Sequence, residues 1–185
     1  MGANSAAWSR TMRERLGLDV DPGVIERAIV DGVVERYRRE GPPSIPRAVE
    51  AVERIATEHP VAVASSAHRE VIDAALDAIG LADRFTVVVS SDEVEHGKPA
   101  PDVYLETARR LGAPPAVCLV VEDSRNGVLA ARAAGMTVVL VPNTSVPPAP
   151  GTHELADLVL ERLADLEPAV VARMGDRATV GVDVT

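Results

Sequence analysis

The sequence predicts an α/β protein built on a Rossmann-like, doubly wound parallel sheet. Three observations predict it. From Ser44 onward, short apolar runs alternate with amphipathic stretches, the pattern of strands joined by right-handed helical crossovers. The run Val117 to Val121 is unbroken, rich in β-branched residues and too short for a helix, which fits a strand covered on both faces. That run ends in Glu122 and Asp123, and open α/β sheets bind ligands at the carboxyl ends of their strands.

A length of 185 residues fits one core domain with a small appendage. The content, 46% hydrophobic and 25% charged, is that of an ordinary globular chain. A net charge of −9 argues against nucleic acid or an anionic membrane surface as partner. The aromatic residues are Trp8, Tyr37, Phe85 and Tyr104, so the core must be built from Val, Leu, Ile and Ala. Cys118 is the sole cysteine and sits in an apolar run, which predicts a buried thiol, no internal disulfide and a cytoplasmic setting. No stretch approaches the ~20 apolar residues of a membrane span, and the start of the chain does not read as a signal peptide.

Residues 1–43 read as helical. Trp8, Met12, Leu16 and Leu18 supply apolar spacing, with Gly17 as a stop. Asp21 and Pro22 open a second helix whose apolar face is Val24, Ile25, Ala28, Ile29 and Val33, closed by Gly41 and two prolines. Ile45 to Thr57 is an amphipathic helix through Val49, Val52 and Ile55. Val61–Ala64 is a strand, Arg69–Ile79 a helix closed by Gly80, and Thr86–Val89 a second strand. The loop Glu93–Asp102 leads to a helix ending at Leu111 and Gly112. After the Val117–Val121 strand comes a helix from Arg125 to Ala134, with Ser124 placed to cap it and Gly127 to permit close backbone approach. Thr137–Val141 is a further strand, Val146–Gly151 a loop and Asp157–Leu160 a short edge strand. From Arg173 the pattern is weak.

Polar groups follow three of these strands: Ser65 and Ser66, then Lys98, then Glu122 and Asp123. Parallel strands would bring them to one sheet edge. A hydroxyl, a cation and an acid pair are the parts that hold a phosphoryl group. Adjacent acids repel unless a cation lies between them, and a hard divalent ion, Mg²⁺ first, suits oxygen ligands. The plainer alternative is a helix-capping Asp beside a solvated Glu.

These segments resemble the haloacid dehalogenase superfamily of hydrolases, in the subgroup of β-phosphoglucomutase and small phosphosugar phosphatases. VAVASSAHR resembles its second motif, with Ser65 in the Ser/Thr position; HGKPAPDVY the third, with Lys98; LVVEDSRNG the fourth, with Glu122 and Asp123 as metal-site acids. The likeness covers about residues 44 to 166. It implies a division into a partial helical cap, 1–43, a core, 44–172, and a tail, 173–185. It also implies an Mg²⁺-dependent phosphatase of a small phosphorylated metabolite acting through an aspartyl-phosphate. Lys98 and Ser65 would be catalytic, Ser65, Ser66 and Lys98 would hold phosphate, and Asp123 with Glu122 would serve the metal.

The family's first motif, an apolar strand followed by Asp-x-Asp-Gly that supplies the nucleophile and the general acid/base, does not occur in the 185 residues. Asp19 and Asp21 form an Asp-x-Asp, but after a helix end and before Pro22, which reads as a cap. Asp183 follows Val180 and Val182 with nothing after Thr185 to complete a motif. In this fold the missing strand lies between those ending at Ser65 and Glu122. We therefore expect the chain to be an N-terminally shortened version of a longer protein, marginal in stability and without hydrolase activity. A phosphosugar mutase and a non-catalytic remnant are the alternatives. His68 and His96 lie near the expected site as loop histidines.

Overall fold

The computed structural model describes residues 5–43 and 47–180. Ile45, Val182 and Asp183 lie outside the described residues, as does the side chain of Trp8. The chain opens with α1 (Ser5–Leu16) and α2 (Pro22–Glu40). Asp21 caps α2, its Oδ1 accepting the Gly23 N–H at 2.8 Å. Of the expected face Val24, Ile25, Ala28, Ile29 and Val33, only Ile25 is buried, and the rest of the buried stripe is Val30 and Val34; Val24 is 60% exposed. Leu16 and Leu18 are exposed as well. Val30 and Val34 pack against Ala74 and Val71 of the later helix α4 (Arg69–Ala78), and α1 also packs on α2, so these two neighbours select the stripe.

From α3 (Ala48–Ala56) onward the expected alternation is present. β1 (Ala62–Ser65) leads into α4, β2 (Val87–Ser90) and α5 (Asp102–Leu111). β3 (Leu119–Glu122), α6 (Arg125–Ala133), β4 (Thr137–Leu140) and the two-residue β5 (Leu158–Val159) follow. α5 ends at Gly112, whose φ of 69° is the left-handed conformation that a glycine adopts without strain. All pairings are parallel, as a doubly wound sheet requires. The sheet is divided, however: β1 pairs with β2, and β3–β4–β5 form a separate piece. α5 joins the two, since Val103, Tyr104 and Ala108 share one core with Val89 of β2 and Val120, Val128 and Val138.

Four expectations need correction. The strand at 117–121 begins two residues later, because Pro115–Val117 form a 3-10 turn that leaves Val117 67% exposed. It is not covered on both faces: Val120 is buried, but Val121 is 39% exposed, and among the described residues no strand pairs with the far edge of β3. Cys118 is half-buried beside a cavity rather than in the core; that partial burial pushes its thiol pKa up. Finally, the weakly patterned end of the chain holds a helix, α7 (Pro168–Val180), with Met174 buried. No described helix is long and apolar enough to cross a membrane.

Candidate active site

The carboxyl ends of β1 and β3 face each other, and Lys98 spans them. It arrives on the loop between β2 and α5 and is 8% exposed. Its Nζ donates to the Ala64 carbonyl of β1 at 3.1 Å and to Glu122 Oε1 of β3 at 2.5 Å. The same ammonium lies 4.6 Å from the centre of the Tyr104 ring, a cation–π contact. An ammonium has three N–H donors, so one is left over.

Glu122 is the most heavily bonded group in the site. Oε1 also accepts the Tyr104 hydroxyl at 2.6 Å. Oε2 accepts the backbone N–H of Asp123 and of Ser124, each at 3.1 Å, and the Ser124 hydroxyl at 2.9 Å. Burial alone would push the Glu122 carboxyl up; the Lys98 ammonium and the hydrogen bonds from Lys98, Tyr104 and Ser124 outweigh it and hold it below the usual range. Burial and the neighbouring Glu122 charge push the Tyr104 hydroxyl far up, so it stays a donor. Ser124 also caps α6, accepting the Gly127 N–H at 3.1 Å. Gly127 is required by contact: a Cβ there would stand 1.9 Å from the Glu122 carboxyl carbon. The alternative of a solvated Glu beside a capping Asp is therefore excluded, since the Glu122 side chain is 8% exposed and Ser124 is the cap.

The acid pair is thus resolved asymmetrically. The cation that offsets Glu122 is Lys98. Asp123, half-buried, has the Asn143 amide at 3.4 Å and an otherwise available carboxylate. Among the described residues no three His, Cys, Asp or Glu side chains converge as a metal cluster. Mg²⁺ needs less than that: it keeps several waters and takes one or two carboxylates plus phosphate oxygens. The donor set fits Mg²⁺ on those terms, with Asp123 as the carboxylate. Ser65 Oγ accepts the Ala67 N–H at 3.1 Å, leaving its own O–H to donate outward. Ser65, Ser66, Lys98, Glu122 and Asp123 line one cavity of about 1090 Å³. All five predicted residues are brought together.

Residues 4–135, well over half of the chain, match the haloacid dehalogenase-like hydrolase family. The chain belongs to the haloacid dehalogenase-like hydrolases. This family member is 37% identical over 121 residues to fructose-1-phosphate phosphatase YqaB of Escherichia coli (strain K12), covering 65% of this chain and 63% of that protein. It is 45% identical over 108 residues to the bifunctional riboflavin kinase/FMN phosphatase of Arabidopsis thaliana, covering 58% of this chain and 28% of that one. The chain therefore spans less than two-thirds of the length of either relative. Among solved structures, CbbY from Rhodobacter sphaeroides in complex with phosphate superposes with a TM-score of 0.73 at 27% identity, over 84% of this chain and 70% of that one. The β-phosphoglucomutase of Clostridium difficile superposes with a TM-score of 0.74 at 18% identity, over 96% of this chain and 79% of that one, a likeness of fold.

Two residues of this haloacid dehalogenase-like site were not singled out from the sequence. Tyr104 carried a signal, an aromatic with a polar tip at helical spacing from Thr107 and Ala108 on the buried face of α5. Asn143 carried none, since it lies in irregular chain after β4. His68 is the N-cap residue just before α4, with Glu26 Oε1 at 3.4 Å from Nε2 and Asp92 Oδ2 at 3.5 Å from Nδ1. His96 is exposed and pairs with Asp102 at 3.1 Å.

Proposed function

We propose that this chain is the phosphate-handling part of an Mg²⁺-dependent phosphatase acting on a small phosphorylated metabolite. The observation that carries the reading is Lys98 seated between the ends of β1 and β3, with one N–H unspent and the Ser65 hydroxyl in the same cavity. Such fixed donors, in a partly enclosed site, stabilise the charge on a transferring phosphoryl group. Lys98 offsets that charge; the Ser65 hydroxyl and the Ser66 and Ala67 backbone orient the oxygens. Asp123 would hold Mg²⁺, and Glu122 positions Lys98 and the Asp123 backbone rather than serving as a free ligand. When bound, Mg²⁺ supplies Lewis-acid neutralisation of phosphoryl oxygens. The relatives named as phosphatases support this substrate class. We take residues 1–43 as part of a helical cap, and Glu26 of α2, near His68, supports that placement.

A nucleophilic aspartate is not among the site residues, so the 185-residue chain is proposed to be inactive by itself. The test is hydrolysis of p-nitrophenyl phosphate with Mg²⁺, by this chain and by the same chain preceded by an apolar strand and Asp-x-Asp-Gly. Turnover in the second alone, lost in Asp123→Ala, is the expected result. Turnover by the chain itself would place the nucleophile at Asp19, Asp21 or Asp183. Silence in both would overturn the phosphatase reading.

A further inference from the structure

The segment Ser65 to His68 carries the hydroxyl and backbone groups that meet phosphate in the reading above, and the residue that holds it in place lies on another strand. Ser90 ends β2 in register with Ser65. It is 0% exposed and does not line the cavity, so its hydroxyl acts on protein groups. A hydroxyl has one proton to give and two lone pairs to accept with. Ser90 Oγ accepts the Asp92 N–H at 3.1 Å and donates to the Ala67 carbonyl at 2.7 Å. Asp92 Oδ2, at 3.1 Å, is the more distant acceptor for the same proton.

Ser90 is itself braced from behind. Its N–H donates to Glu93 Oε1 at 2.9 Å, which closes a capping box over the 3-10 turn Ser91–Glu93. Glu93 Oε2 accepts from Arg110 Nη1 of α5 at 2.8 Å. The same helix carries Tyr104, whose hydroxyl bonds Glu122, so α5 supports the site from both sides. Ala67 is fixed at both of its backbone groups: its N–H is spent on Ser65 Oγ at 3.1 Å and its carbonyl on Ser90. The first bond occupies a lone pair of Ser65 Oγ and so limits where the Ser65 proton can point. The second sets the plane of the peptide that joins Ala67 to His68. Without it Ala67 is free to turn, and the Ser65 hydroxyl turns with it. Donors aimed in advance stabilise phosphoryl charge more than donors that must first be reoriented.

We propose that Ser90 is a positioning residue for the phosphate site: its buried hydroxyl, acting through the Ala67 carbonyl, fixes the Ser65 hydroxyl and the Ser66 backbone in the orientation that receives phosphoryl oxygens. The role rests on the phosphatase reading above; the bond from Ser90 to Ala67 does not.

The test compares Ser90→Thr with Ser90→Val, which add the same bulk and differ in the hydroxyl. Inorganic phosphate is titrated in Mg²⁺ into the ¹⁵N,¹³C-labelled chain. The dissociation constant is read from the Ser66 and His68 amide shifts, and the hydrogen bond from the Ala67 carbonyl ¹³C shift. Ser90→Thr should keep the wild-type Ala67 carbonyl shift and the wild-type affinity. Ser90→Val should displace that shift and weaken phosphate on the order of ten-fold. Ser90→Ala, which adds no atom to the buried site, should behave as the valine variant does and replaces it if valine does not fit. Equal phosphate affinity in wild type and the alanine variant would overturn the proposal. So would equal weakening by threonine and valine, which would make bulk the cause, or an Ala67 shift unmoved by loss of the hydroxyl. A displaced Ala67 shift in a protein whose wild type binds no phosphate would remove the phosphatase reading and the positioning role with it, and leave the bond.

Discussion

Glu122 and Lys98 form a buried ion pair, with side chains 8% and 7% exposed, in which both Glu122 oxygens are hydrogen-bonded and one Lys98 N–H is left over. Removing one partner of such a pair strands the other. Glu122→Gln should therefore cost about 3–5 kcal/mol at pH 7, read from urea midpoints. The Glu122 carboxyl is held below its ordinary value of 4.5, so its stabilising contribution is present above pH 4.5 and is lost as pH falls through the lower folded value. The gap between wild type and Glu122→Gln should accordingly narrow as pH falls below about 4.5. Gly127→Ala drives a methyl into the same carboxylate, and the overpacking should cost about 1–3 kcal/mol with an unchanged urea slope. In Tyr104→Phe the ring under Lys98 is retained and only the hydroxyl bond to Glu122 is lost, which should cost about 1.5–3 kcal/mol.

At the scale of elements, β3 is the informative strand, because its two neighbouring valines differ in cover. Val120→Thr buries a hydroxyl among apolar atoms and should cost about 1–3 kcal/mol; Val121→Thr should stay within about 0.5 kcal/mol. Equal urea midpoints for the two variants would mean that β3 is covered on both faces after all. The sequence carried the order of strands and helices from Ala48 onward because period-2 and period-3.6 patterns are local. Ser65, Glu122 and Asp123 were legible because they follow apolar runs directly, and Lys98 because it sits in a Gly-Lys-Pro loop after the second strand. What was not legible depends on contacts distant in sequence. The α2 stripe is chosen by packing against α1 and α4, and the exposure of Val121 by what lies over β3 rather than by its own apolar run. Tyr104 acquires its role only when α5 brings its hydroxyl to Glu122. Helix α7 was missed because Gly175 and a run of mixed polarity weaken its period.

For the whole molecule, the two sheet pieces are held together by α5 and by the Lys98 bridge, so a ligand that engages both ends should stabilise the chain as a unit. Inorganic phosphate with Mg²⁺, at a concentration several times its dissociation constant, should raise Tm by roughly 2–4 °C, and Asp123→Ala should abolish the Mg²⁺-dependent part of that rise. The bridge has a second consequence, which concerns entropy. A lysine side chain carries about 2 kcal/mol of rotamer freedom. Clamped between the Ala64 carbonyl, Glu122 and the Tyr104 ring, Lys98 loses that freedom when the chain folds. An arriving anion meets an ammonium that is already still, and the encounter does not have to quiet it again.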